Sequence, residues 1–210
     1  GSAQVFMENY KPSLELSISW AEYNVLNGEA RIATGDIDGD KKKELILGLG
    51  QVEGEPTIPG GKFEIVDDNY KLLSWGQIDW QDYNSANGES WPACGDIDGD
   101  GKDEILIGLG VEGNGRIEIF DFTDGKAVHK DWIETGWSEY KDSGGGVRPA
   151  CGNLDFDRKD EIILGFYPVS NLFMPGGKFE VLDDNYKHYA WGEIDWPEYA
   201  AFNGESWPAC

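Results

Sequence analysis

Two kinds of apolar pattern alternate along the chain. Leu45-Ile-Leu-Gly-Leu-Gly50, Ile105-Leu-Ile-Gly-Leu-Gly110 and Ile162-Ile-Leu-Gly-Phe166 are continuous apolar runs carrying glycines near their ends. Runs this short, rich in leucine and β-branched residues, predict strands buried on both faces. Between them the chain alternates, as in Lys62-Phe-Glu-Ile-Val66 and Arg116-Ile-Glu-Ile-Phe120, which predicts further strands. Pro59-Gly60-Gly61 and Pro175-Gly176-Gly177 signal turns between the two kinds. No stretch carries a convincing helical period.

The pattern repeats at intervals of about 60 residues. Residues 60–96 and 176–210 are close copies, 115–153 is a weaker one, and 4–36 is a fourth relative. Each full unit holds four strands. The first resembles Ser90-Trp-Pro-Ala-Cys94, and the second is the continuous apolar run. The third is the alternating stretch, and the fourth runs into a Trp-x-Glu/Asp-Tyr element. That element recurs at Trp20/Tyr23, Trp80/Tyr83, Trp137/Tyr140 and Trp196/Tyr199. Repeated units of four antiparallel strands are the signature of a β-propeller. The expected fold is therefore all-β, with about three and a half four-stranded blades in this chain. The expected boundaries are a partial blade of outer strands at 1–28, blades at 29–88, 89–145 and 146–204, and the first strand of a next blade at 205–210.

Between strands one and two the chain crowds like charge. GDIDGDKKKELILGLG begins at residue 35, GDIDGDGKDEILIGLG at 95 and GNLDFDRKDEIILGFY at 152. Two unit charges about 4 Å apart repel by roughly 4 kcal/mol at an effective dielectric of 20. A hard cation removes that cost, and calcium takes 6 to 8 oxygen ligands at about 2.3–2.6 Å. A solvated acidic turn would explain one copy. Three copies with the same spacing point to metal.

The loops are not EF-hands, which need a bidentate Glu at position 12 and a helix on each side. Position 12 is Leu47, Ile107 or Leu164, and strands flank the loops. The expected side-chain ligands are Asp36, Asp38, Asp40 and Glu44; Asp96, Asp98, Asp100 and Glu104; and Asn153, Asp155, Asp157 and Glu161. The backbone carbonyls of Lys42, Lys102 and Lys159 are expected to complete each set, with the lysine side chains pointing outward.

The D-x-D-x-D-G-x-x-D/E-h-h-h-G pattern closely resembles the FG-GAP repeats of integrin alpha-subunit propellers and of bacterial proteins with related repeats. The resemblance covers essentially the whole chain. It implies an integrin alpha-like propeller whose loops join the first two strands of a blade and bind calcium, here at three sites. Two departures stand out. The ninth position is Glu rather than Asp, and the third loop carries Asn153 and Arg158. That loop has one fewer negative charge, so weaker binding is expected there.

A formal charge of −23 argues against nucleic acid and anionic membranes as partners, even after three calcium ions return +6. No apolar run is long enough to span a bilayer. Cys94, Cys151 and Cys210 hold the same place in successive units, and Thr34 fills it in the first. They read as small core residues, not as disulfide partners, ligands or nucleophiles. His129 and His188 lie in the outer-strand region, away from any nucleophile, so no catalytic role is expected. Trp80, Trp91, Trp137, Trp196 and Trp207 recur at fixed points. They suit packing between blades or a row of sugar-stacking pockets there.

The expected function is a calcium-binding extracellular or cell-surface adhesion module for a protein or cell-surface ligand, with a periplasmic location also compatible. A carbohydrate-binding lectin with inter-blade pockets is the alternative, as is the non-catalytic domain of a secreted enzyme. The first unit shows only strands three and four, and Cys210 falls where a next metal loop would begin. A longer polypeptide or other chains are therefore expected to complete the ring. The contact would be made by Val5–Tyr10, Leu14–Trp20 and Ser206–Cys210.

Overall fold

A computed structural model describes residues 2–6, 12–52, 60–169, 177–202 and 204–209. Strands β1 (Ser2–Phe6) and β2 (Pro12–Ser17) form a two-stranded antiparallel sheet. Three four-stranded sheets follow. The first holds β3 (Ala30–Gly35), β4 (Glu44–Leu49), β5 (Lys62–Val66) and β6 (Leu72–Gln77). The second holds β7 (Ser90–Gly95), β8 (Glu104–Leu109), β9 (Arg116–Thr123) and β10 (Lys126–Glu134). The third holds β11 (Val147–Gly152), β12 (Glu161–Phe166), β13 (Lys178–Leu182) and β14 (His188–Glu193). Each is an antiparallel meander with strands in chain order, and the first strands of neighbouring sheets lie side by side. This is the all-β arrangement of propeller blades.

The sheets pack face to face, which explains why their second strands are apolar throughout. In β4, Ile46 faces a core shared with Ile105, Ile107 and Phe120 of the second sheet. Its neighbours Leu47 and Leu49 face the opposite core, with Ile18 and Tyr23. Successive strand side chains point to opposite faces, so a strand between two cores must be apolar at every position. Phe63 and Phe120 meet edge to face at 5.1 Å across the first two sheets. Such a pair adds about 0.5–1.5 kcal/mol beyond its buried area.

The glycines of the second strands set how closely the blades approach. A Cβ on Gly48 would lie 2.2 Å from the Ser90 carbonyl oxygen, and one on Gly108 2.4 Å from that of Val147. A Cβ on Gly165 would lie 2.5 Å from the Ser206 carbonyl oxygen. Side-chain atoms at these positions would push each blade off the next one's first strand.

The Trp-x-Glu/Asp-Tyr elements correct the strand expectation. They form short helices: α1 (Ala21–Leu26), α2 (Gln81–Ala86), α3 (Ser138–Asp142) and α4 (Pro197–Phe202). Such helices are far below the roughly 12–15 residues that make an isolated helix marginal, and too short to show a period. They exist because a tyrosine anchors them. The Tyr83 hydroxyl donates to the Glu89 carbonyl at 2.8 Å and accepts from the Gly110 N–H at 2.6 Å. Tyr23 does the same with Glu29 and Gly50, and Tyr140 with Gly146 and Tyr167. Each tyrosine thus ties its helix to the blade that follows, at the start of that blade's first strand and at the end of its second.

A buried glutamate in each third strand latches neighbouring sheets. Glu118 accepts from the Asp79 N–H at 2.8 Å, and Glu64 from the Ser19 N–H and hydroxyl at 2.8 and 2.7 Å. Glu180 accepts from Thr135 and the Gly136 N–H. His129 and His188 hydrogen-bond Glu118 and Glu180 at 2.8 and 2.9 Å. Burial, against these contacts, pushes the Glu118 carboxyl up to about 7.

Cys94 and Cys151 pack beside the apolar cores, and burial raises the Cys94 thiol. Cys210 and residues 7–10 of the expected closing contact lie outside the described residues. Ser206 donates its N–H to the Phe166 carbonyl at 3.0 Å, so residues 204–209 lie against the third sheet as a first strand would.

Candidate metal centre

Each acidic loop spans the hairpin between a sheet's first and second strands. A Gly–Glu pair closes it: Gly35 opposite Glu44, Gly95 opposite Glu104, Gly152 opposite Glu161. The chain then winds inward around its own carboxylates. Asp36 accepts from the Gly39 and Lys41 N–H groups at 2.8 and 2.9 Å. Asp38 accepts from Asp40, Asp40 from Lys42, and Glu44 from Ile37. Loop two repeats the set through Asp96, Asp98, Asp100 and Glu104. The N–H groups of Lys42, Lys102 and Lys159 bond the fifth-position aspartates Asp40, Asp100 and Asp157.

Three carboxylates converge in each loop, with one oxygen from each within 4.8 Å of the others. They are Asp36, Asp38 and Asp40; Asp96, Asp98 and Glu104; and Asp155, Asp157 and Glu161. Glu44 and Asp100 fall outside these groups while engaged with backbone N–H donors. Asn153 turns its amide to the Asp157 carbonyl at 2.8 Å and its oxygen to the Phe156 N–H at 2.6 Å.

The electrostatics show the cost of that convergence. Burial, then the Asp38, Asp40 and Asp36 charges, push the Glu44 carboxyl up to about 7. Burial also pushes Glu104 up to about 7 despite a hydrogen bond from Lys130. Asp98 is held below the usual carboxylate range by the same lysine.

Lys130 is the residue the sequence pattern does not reveal. It sits at a bulge in β10, where the register slips between His129 and Asp131. Its ammonium lies 2.7 Å from Asp98, 3.0 Å from Glu104 and 2.8 Å from Asp121. Burial opposes the charge, but these three hydrogen bonds outweigh it and keep the ammonium protonated. The lysine thus stands in for a cation among the donors of loop two. All the donors are hard oxygens, as calcium requires, and a cation already fits between two of them.

Lys42 and Lys102 lie at the surface as expected, but two of the three loop lysines also engage neighbouring carboxylates. Lys42 folds onto Asp40 at 3.1 Å and Asp68 at 2.7 Å, and Lys159 reaches Asp184 at 3.3 Å. A second unforeseen contact links one loop to the next. Asp103 accepts from the Asp36 N–H at 2.8 Å and returns its own N–H to the Asp36 carbonyl at 2.9 Å. Asp160 repeats this with Asp96. The signal was present as K-D-E at 102–104 and 159–161, against K-K-E at 42–44.

No family model matches the sequence, and no curated protein matches it. Among solved structures, the exotype rhamnogalacturonan lyase YesX is similar at 13% identity and a TM-score of 0.54, over 90% of this chain and 34% of that one. The PilY1 C-terminal domain of Pseudomonas aeruginosa is similar at 16% identity and a TM-score of 0.48, over 87% of this chain and 37% of that one. The Dos1 propeller matches at 12% identity and 0.44, over 72% and 32%. The chain spans about a third of the length of these structures. At such identities the likeness is one of fold alone; the propeller arrangement itself is given by the three four-stranded meanders of this chain.

Proposed function

We propose that the chain is a calcium-stabilised, non-catalytic propeller module of the FG-GAP, integrin alpha-like type, which binds a protein or cell-surface ligand outside the cytoplasm. The observation that carries this reading is loop two, where oxygen donors converge tightly enough to hold an ammonium at 2.7 and 3.0 Å. Asp36, Asp38, Asp40 and Glu44 would hold the first ion, Asp96, Asp98, Asp100 and Glu104 the second, and Asn153, Asp155, Asp157 and Glu161 the third. Bound calcium supplies the countercharge that lets the acidic hairpins close. Millimolar calcium outside the cell would saturate sites too weak for cytosolic levels. Among the described residues no helix is long and apolar enough to cross a membrane.

The non-catalytic part rests on how the histidines are used: both are engaged with latch glutamates of the blades. Packing accounts for two of the five repeated tryptophans. Trp80 and Trp137 stack on Tyr83 and Tyr140 and lie against the cores.

Calcium titration by calorimetry, with thermal melts in excess calcium and in EGTA, tests the proposal. Ligand at 100 times Kd stabilises by about 2.7 kcal/mol per site. An unchanged thermal midpoint in EGTA would sink the structural role of calcium.

A further inference from the structure

The three acidic loops touch one another in the same way at both junctions. The eighth residue of loop two, Asp103, faces the first residue of loop one, Asp36. Its carboxylate accepts from the Asp36 N–H at 2.8 Å, and its own N–H donates to the Asp36 carbonyl at 2.9 Å. Asp160 of loop three holds Asp96 of loop two by the same pair of bonds, at 3.2 and 2.9 Å. Glycines permit the approach. A Cβ on Gly35 would lie 2.5 Å from the Cys94 Cβ and 2.9 Å from the Asp103 carboxylate, and one on Gly95 2.4 Å from Cys151 and 2.8 Å from Asp160. The Lys102 stem packs at Gly39 and the Lys159 stem at Gly99, each 3.1 Å from where a Cβ would stand.

These contacts join positions that matter to both loops. Asp36 and Asp96 are the first-position donors of their loops. Asp103 and Asp160 are not donors, yet each lies between two: the Lys102 carbonyl and Glu104, or the Lys159 carbonyl and Glu161. Bonds to both the N–H and the carbonyl of Asp36 fix the backbone on either side of its Cα, and so the point from which its carboxylate reaches. Asp103 is itself fixed when residues 102 and 104 are. Order in loop two therefore reaches loop one through a single residue. The blades beneath are held separately. Arg31, Trp91, Arg148 and Trp207 hold equivalent places in four successive units around the axis, with Arg31 stacked on Trp91 and Arg148 on Trp207 at 3.6 Å. No blade has to move for one loop to feel the next.

We infer that Asp103 and Asp160 are positioning residues that couple the three ion sites, so that an ordered loop prepares the first donor of the loop before it. This coupling rests on the calcium reading of the loops and adds to it that the sites fill together. Coupling between sites is reciprocal, and typical values are about 5–150-fold. Its sign sets it apart from plain electrostatics. Divalent ions on adjacent loops repel, so unlinked loops would bind the pair no better than independently. The eighth residue of loop one is Lys43, whose ammonium leans on Asp103 at 3.7 Å. Among the described residues the links therefore run from loop three to two to one.

Calorimetric calcium titration of the full chain carrying Asp157→Ala, which silences loop three, tests the link between loops one and two. Adding Asp40→Ala or Asp100→Ala leaves one live loop and gives each loop's own binding constant. The overall constant for two ions is expected to exceed the product of the single-loop constants at least fivefold. With Asp103→Ala in all three proteins, two ions should still bind, but the ratio should fall to one or below. Asp103→Asn keeps an acceptor oxygen and the backbone N–H and should restore the ratio, which a role for charge alone would not. The second junction is an independent arm that stands even if Asp103→Ala does not fold. With loop one silenced by Asp40→Ala, Asp160→Ala should uncouple loops two and three in the same way. A ratio of one or below with Asp103 in place, coupling that survives Asp103→Ala, or no rescue by Asp103→Asn overturns the link and leaves the calcium module standing. No calcium binding by any loop overturns the module itself, and the coupling with it.

Discussion

Loops one and two share the sequence GDIDGD at 35–40 and 95–100, and nearly the same internal hydrogen bonds. They differ in what the fourth strand sends back. At the strand bulge, the first sheet places Leu73 and the second places Lys130. One loop keeps its converging carboxylates without an ammonium from the fourth strand. The other holds a tethered ammonium. Identical local sequence therefore does not make identical ion sites, because the cation that competes for them is supplied from about 30 residues away.

Replacing Lys130 breaks the comparison most directly. Lys130→Met should destabilise the calcium-free protein by about 1–3 kcal/mol, less than the loss of one partner of a fully buried pair. Calcium should cancel the loss and bind loop two about tenfold more tightly. Calorimetry with calorimetric titration reads both, and a weaker second site would refute the idea that the lysine competes with the ion.

Removing the third-position aspartates should give opposite signs. Without calcium, Asp38→Ala relieves repulsion at the cost of the exposed Asp40 N–H hydrogen bond and should raise stability by about 0.5 kcal/mol, whereas Asp98→Ala loses an ion pair as well as the equivalent hydrogen bond and should lower it by about 0.5–1 kcal/mol. In saturating calcium both should lower the thermal midpoint. The same sign in EGTA would mean that Lys130 does not distinguish the loops.

A pH series sharpens the contrast. Glu44 has a folded pKa of about 7, above the ordinary 4.5. The native state then holds a proton that the unfolded chain releases in that window. Metal-free stability should be greatest below pH 4.5 and fall as pH rises toward 7. Glu44→Gln should flatten this loss. In Lys130→Met the corresponding loss at Glu104 should extend to higher pH, since the lysine now pulls that carboxyl down. A metal-free melting profile that rises between pH 4.5 and 7 would contradict the assignment.

The smallest effect belongs to loop three. Phe156 has φ +67° where loops one and two place Gly39 and Gly99. It is also 94% exposed. Phe156→Gly should stabilise the protein by only about 0.3 kcal/mol, because the relief of left-handed strain is largely offset by glycine's freedom in the unfolded chain. The wild-type site should be the weakest of the three by calcium titration. A third site tighter than the other two would show that charge count and loop strain are the wrong guides.

Much of the fold was legible because it is periodic. The glycine-ended runs named the second strands, and the alternating stretches named the third. Both are statements about which faces are buried, and that is written in side-chain polarity. The helices at Trp20–Tyr23 and its repeats were not legible, because a single turn and a half has no period and is held by a hydroxyl rather than by its own propensity. The loop aspartates were legible from spacing. Lys130 was not, since the bulge recurs in each four-stranded sheet but carries Leu73 and Tyr189 in the other two, so nothing in the repeat marks a cation at that place. The links from Asp103 and Asp160 to the preceding loops were visible only as a change of one letter beside a louder motif.

The alternation of Arg31, Trp91, Arg148 and Trp207 around the axis carries an arithmetic consequence. The closest sequence copies are two units apart: Gly88-Glu-Ser-Trp-Pro-Ala-Cys94 recurs at 204–210, while both arginines fall in the intervening units. The sequence thus repeats most closely over a pair of blades, not one. Inserting or deleting a single blade would break the order in which Arg31 stacks on Trp91 and Arg148 on Trp207. Strict alternation of this kind, continued round a closed ring, is met only by an even number of blades.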